Sequence, residues 1–139
     1  MKIYIDVDGV LLGKENNKIK LANGTKEFIE FVLEKYDCYW LTTHCKGNTE
    51  TVLSYLRKYV DNTLYDNLKK IKPTNFSVLK TEALNFNKNF IWIEDKILRS
   101  EFEWLDKYSK LNCWFEVNTY KNINGLIHCL KYIRNKYEV

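Results

Sequence analysis

The sequence predicts an α/β fold, a parallel β-sheet with helices on both faces, in a single domain over residues 1–139. Three observations predict it. Short apolar runs of β type recur at 2–7, 38–41, 90–93 and 113–115. Stretches with apolar residues at helical spacing separate them, and strands that alternate with helices give a parallel sheet covered on both faces. Polar residues end three of those runs: Asp6 and Asp8, Thr42 and Thr43, Glu94 and Asp95. Ligands bind beyond the carboxyl ends of the strands in such sheets.

Taken in order, residues 2–7 read as a buried strand, followed by a loop over 8–24. Within it, 18–22 alternates weakly and pairs with 10–13 as a small hairpin. Asn23, Gly24 and Thr25 open a helix whose inner face is Phe28, Ile29, Phe31, Val32 and Leu33. The strand 38–41 ends at Thr42, Thr43 and His44. Asn48 or Thr49 caps the next helix, with Val52, Leu53, Tyr55, Leu56 and Tyr59 inward. Residues 62–68 are ambiguous, and a short edge strand is one solution. Pro73 and Thr74 suit the start of a helix through Val78, Leu79, Ala83 and Leu84. The strand 90–93 is the strongest apolar run. A helical stretch over 99–108, a strand at 113–115 and a final helix after Asn124 and Gly125 complete the chain.

Length and composition set bounds. A chain of 139 residues with 45% hydrophobic content supports one real core. One proline, five glycines and no low-complexity tract leave no linker to divide it. The net charge of +4 is compatible with a phosphorylated or nucleic-acid substrate without demanding one. No apolar run is long enough to span a membrane. The N-terminus enters a strand at once, so no signal peptide is expected. Cys38, Cys113 and Cys129 sit in apolar patterns and read as buried free thiols, and a cytoplasmic setting is expected. Nothing in the sequence lowers the pKa of Cys45, which is given no chemistry.

Asp6 and Asp8, followed by Gly9, carry the most chemistry. Strand side chains at i and i+2 point the same way, so both carboxylates can converge past a strand end. Carboxylates that close repel, and a divalent cation with a preference for oxygen, magnesium above all, removes that cost. A plain turn is the competing explanation. A calcium loop is excluded, because Gly9 comes too early and Val10, Leu11 and Leu12 are apolar.

Tyr4-Ile5-Asp6-Val7-Asp8-Gly9-Val10, then Trp40-Leu41-Thr42, then a lysine, then Ile91-Trp92-Ile93-Glu94-Asp95, resembles the four-motif order of the haloacid dehalogenase-like hydrolases. The resemblance covers nearly the whole chain. It implies a Rossmann-like sheet and a magnesium-dependent phosphatase that passes through an aspartyl-phosphate. By that resemblance Asp6 is the nucleophile and Asp8 the general acid and base, with its main-chain carbonyl on the metal. Thr42, or Thr43 if the strand runs one residue longer, holds phosphoryl oxygens beside Gly9. A local turn bond is the alternative for Thr42. Lys80 is favoured as the phosphate-binding cation over Lys72. Glu94 and Asp95 depart from the usual pair of the fourth motif; Asp95 is favoured as metal ligand and Glu94 as its support. Glu101 is read as a solvated helix position, with support of the metal shell as the other option. His44 is read as a surface residue, with a contact to substrate as the other option.

The intervals between motifs hold no cap domain, so the cleft should be open. The expected substrate is a phosphorylated small molecule or a nucleic-acid end. A nucleic-acid end-processing module, using surface rings such as Tyr39, Tyr55 and Tyr65, and a catalytically silent interaction domain are the two alternatives. The oligomeric state is not readable from the chain.

Overall fold

The computed structural model describes residues 1–138. Strand β1 (Lys2–Ile5) leads into a hairpin of β2 (Leu12–Glu15) and β3 (Lys18–Leu21), then helix α1 (Thr25–Lys35) and β4 (Asp37–Trp40). Helices α2 (Glu50–Leu56) and α3 (Asn62–Leu68) follow, joined by a short 3-10 turn. A second 3-10 turn, Lys80–Ala83, precedes β5 (Phe90–Glu94). Helix α4 (Arg99–Lys107), β6 (Trp114–Glu116) and α5 (Gly125–Tyr137) end the fold.

The main sheet has the order β4-β1-β5-β6, and every neighbouring pair is parallel. The chain leaves β1 for β4 on one side, then crosses to β5 on the other. The reversal point therefore lies at the carboxyl end of β1, where open α/β sheets hold ligands. Pleating divides the core in two. Ile3, Ile5, Trp40, Ile91 and Ile93 face a large cluster with Phe28 and Ile29 of α1, Leu56 of α2, Leu68 of α3 and Ile133 of α5. Tyr4, Phe90 and Trp92 face a smaller cluster with Phe76, Leu84 and Leu105 of α4. Burial on both faces explains why these strands read as unbroken apolar runs.

The hairpin forms with its second strand where expected and its first strand two residues further along: Leu12 pairs with Leu21 and Glu15 with Lys18. Asn16 and Asn17 supply its turn, with φ of 53° and 64°. Asparagine tolerates that left-handed region, which two-residue hairpin turns require. Buried Thr119 anchors the hairpin root: its hydroxyl lies 3.1 Å from the carbonyls of both Val10 and Leu12.

Two sequence expectations are corrected. Residues 62–68 form α3, not an edge strand; the Asp61 side chain accepts from the Leu64 amide at 2.8 Å and starts the helix. The helix expected from Pro73 does not form. Lys72 instead lies alongside β4, accepting from the Trp40 amide at 2.8 Å and donating to the Cys38 carbonyl at 2.9 Å, so it shields that sheet edge. Glu82 then takes the amides of Ser77, Val78 and Leu79 at 3.1, 3.0 and 2.7 Å. Amides committed in this way cannot join a helical ladder, and only the short turn at Lys80 results. The four cysteines are free and buried. No helix among the described residues is long and apolar enough to cross a membrane.

Candidate active site

Asp6 follows β1, and its amide still donates to the Ile93 carbonyl at 3.1 Å. That last rung fixes its side chain at the reversal point, and the residue as a whole is 5% exposed. Glu94 ends β5 and is 2% exposed; Asp95 follows it. One oxygen from each of Asp6, Glu94 and Asp95 lies within 4.8 Å of the others. These three are the described residues that could hold a cation, and an all-oxygen donor set suits magnesium.

Lys80 completes the group. Its Nζ lies 3.2 Å from Asp6 Oδ1 and also donates to Glu94 Oε2. Two glutamates place it there. Glu101 accepts from the Lys80 amide at 2.7 Å and from the Leu98 amide at 2.9 Å; Glu82 holds the preceding residues. Glu101 is 3% exposed, which corrects its reading as a solvated position. It stands three residues after the start signal of α4, where a glutamate turns back to the helix entrance. Lys72 goes elsewhere. Its Nζ meets Asp37 Oδ1 at 2.7 Å at the opposite edge of the sheet.

The group holds three acids and one lysine, with Asp6 and Glu94 buried and Asp95 and Lys80 half-buried. Burial, and next the charge of Asp6, push the Glu94 carboxyl far above the usual carboxylate range; Lys80 opposes this without cancelling it. Burial alone would lower Lys80, but Asp6 and Glu94 outweigh it and hold the ammonium charged. Glu94 is tied at both ends of its carboxyl, to Lys80 at Oε2 and to the Asp95 amide at 3.2 Å from Oε1.

Gly9 is shaped by Asp95. Its φ is 81°, and a Cβ there would stand 2.4 Å from Asp95 Oδ2. The carbonyl of Gly9 accepts from Thr119 at 2.8 Å, so the loop after β1 is tied to the segment after β6.

Asp8 does not join the three-acid group through its side chain. Tyr55 donates to its Oδ1 at 2.8 Å, and His44 Nε2 lies 2.8 Å from its Oδ2. The rings of His44 and Tyr55 stack at 4.1 Å and 17°. Burial, and next the bond to Asp8, raise the Tyr55 hydroxyl above its ordinary range, so it stays a donor. His44 is thus a partner of Asp8 and not a plain surface residue. Thr42 is 1% exposed, and its hydroxyl accepts from the His44 amide at 3.3 Å, which is the local turn bond. Thr43 is exposed.

Tyr120 was not legible as a site residue. Its phenol is raised first by burial and then by the charges of Asp8, Asp95 and Asp6. The rings named as surface-eligible serve internal contacts. Tyr39 stacks on Tyr4 at 5.6 Å and donates to Asp37; Tyr65 lies under Arg57 at 4.4 Å. Buried Cys45 has its thiol raised by burial and directed at the Asn48 carbonyl. A cavity of about 650 Å³ between β6 and α5, lined by Trp114, Val117, His128 and Tyr132, contains none of Asp6, Asp8, Glu94 and Asp95. No family model, no curated protein and no solved structure matches this chain.

Proposed function

We propose that this chain is a magnesium-dependent phosphomonoester hydrolase, a small capless member of the haloacid dehalogenase-like hydrolases. The observation that carries the proposal is the gathering of Asp6, Glu94, Asp95 and Lys80 at the reversal point of a parallel sheet. The order of these residues along the chain supports the same reading. The hairpin and α1 occupy the interval before β4, and α2 and α3 the next, which suits an open cleft. Four free thiols suit a reducing, cytoplasmic setting.

Asp6 attacks phosphorus through a carboxylate oxygen as the bond from phosphorus to the leaving oxygen breaks, so one difficult hydrolysis becomes two steps. Asp8 gives its proton to that leaving oxygen. In the second step Asp8 takes a proton from the water that attacks phosphorus, and Asp6 is released as a carboxylate. Lys80 holds the Asp6 carboxylate and then faces the phosphoryl oxygens, whose charge it offsets. Asp6, Asp95 and the main-chain carbonyl of Asp8 would hold magnesium, with Glu94 as support. The ion would supply charge neutralisation for the crowded carboxylates and the phosphoryl group. Gly9 and the segment at Thr42 and Thr43 line the phosphoryl side. The substrate class is a phosphorylated small molecule or nucleic-acid end.

The test is phosphate release from p-nitrophenyl phosphate and a panel of nucleotides, sugar phosphates and phosphorylated oligonucleotides. Turnover should need magnesium, and Asp6→Asn should lower it by more than about a thousandfold. No metal-dependent turnover on any substrate would favour the silent interaction domain.

A further inference from the structure

Asp8 differs from the other acids of the rim in how it is held. Its side chain is 38% exposed, so it faces the open cleft. An open carboxylate ordinarily rotates and is met by water. Here both oxygens are occupied by side chains from two different elements: Tyr55 from α2 at Oδ1 and His44 from the loop after β4 at Oδ2, each at 2.8 Å. The partners lie 36 and 47 residues from Asp8 in sequence, and neither is loose. The His44 amide is fixed on the Thr42 hydroxyl at 3.3 Å. The His44 ring stacks on Tyr55, and Tyr55 packs edge-on against Tyr59 at 6.4 Å. The plane of the Asp8 carboxyl is therefore set by a rigid stack of rings.

We infer that His44 and Tyr55 are positioning residues that fix the Asp8 carboxyl for proton delivery to the leaving group. The inference rests on the phosphomonoesterase function proposed above. In the first step the proton leaves Asp8 for the ester oxygen. The bond from that oxygen to phosphorus breaks, and the bond from Asp6 to phosphorus forms. Asp8 is then a carboxylate, and the Tyr55 hydroxyl and the Nε2 of His44 stay against its two oxygens. The brace holds the carboxyl in one orientation through both steps, so the proton is presented to the leaving oxygen without a search over rotamers. In the second step the proton returns from the attacking water as its oxygen bonds to phosphorus and Asp6 departs. Neither His44 nor Tyr55 touches phosphorus.

The experiment compares two substrates that differ in their need for a proton. p-Nitrophenolate leaves readily without one, whereas an alkyl phosphate such as a sugar phosphate requires it. Four proteins are assayed with magnesium: wild type, His44→Ala, His44→Gln and Tyr55→Phe. The expected result is a fall in kcat on the alkyl phosphate of about 10–100-fold for His44→Ala and Tyr55→Phe. KM should be unchanged, and kcat on p-nitrophenyl phosphate little changed. His44→Gln, which keeps an N–H for Asp8, should recover part of the loss. Tyr55→Phe removes only a hydroxyl and so reports even if His44→Ala fails to fold. Equal losses on both substrates, or no loss, with an active wild type would overturn the inference alone. A wild type inactive on both substrates would overturn the phosphomonoesterase function, and the inference with it.

Discussion

Lys72 and Asp37 form an ion pair of 2.7 Å at one edge of the sheet, with side chains 58% and 39% exposed. At the opposite edge Lys80 pairs with Asp6 and Glu94, and the three side chains are 15%, 8% and 2% exposed. The chemical groups are the same. Water screens the first pair and already solvates its members, so the contact changes little. The second pair has lost its water, and a third acid, Asp95, stands beside it. Proximity of a lysine to a carboxylate therefore marks nothing by itself. A buried surplus of one charge sign does, because a fold tolerates it only where another cation or a proton restores balance.

Removal of Lys80 is the strongest way to sharpen this contrast. In the absence of magnesium, Lys80→Met should destabilise the protein by up to about 3–5 kcal/mol, less to the extent that Glu94 takes up a proton. Urea unfolding measures it, and added magnesium should recover more of the loss than it does for wild type. Glu101→Ala comes next. It leaves the part-buried Lys80 and Leu98 amides without their acceptor, at up to about 1–3 kcal/mol per amide where water does not replace it. It should also lower kcat, since Lys80 loses its support. Gly9→Ala should cost about 1–2 kcal/mol for the left-handed backbone. Its methyl group would displace Asp95, so the magnesium concentration for half-maximal turnover should rise.

Lys72→Ala is the smallest expected effect, with no resolvable change in the urea midpoint at neutral pH and none in activity. The pH dependence of that pair follows from its shifts. The hydrogen bond from Lys72, foremost, holds Asp37 below the usual carboxylate range. A group depressed in the fold contributes above its unfolded pKa and loses that contribution as pH falls through the folded value. Asp37 in turn raises Lys72, whose contribution is present below its unfolded pKa and is lost as pH rises through the folded one. Wild type and Lys72→Ala should thus differ least in strong acid and strong alkali. A marked difference at neutral pH would break the contrast between the two edges.

The sheet was legible because buried parallel strands carry unbroken apolar runs, and their polar ends could be read off directly. The gathering of Asp6, Glu94 and Asp95 followed from strand ends alone, since parallel strands bring their carboxyl ends to one edge. Which lysine reaches that edge did not follow. Only the resemblance favoured Lys80 over Lys72, and the pairing of Lys72 along β4 is what sends that lysine to the far side. The apolar spacing after Pro73 imitates a helix, yet Glu82 takes the amides that a helix needs. Asp61, a capping residue before 62–68, was the available sign of α3. The brace on Asp8 had no local signal, because His44 and Tyr55 reach it from the loop after β4 and from α2, 36 and 47 residues along the chain.

The most direct measurement is isothermal titration of beryllium fluoride, a mimic of a phosphoryl group on aspartate, into the protein with and without magnesium. Binding should occur only with magnesium, should be lost in Asp6→Asn and should survive Lys72→Ala. Absence of binding with magnesium, or binding that persists in Asp6→Asn, would contradict the account.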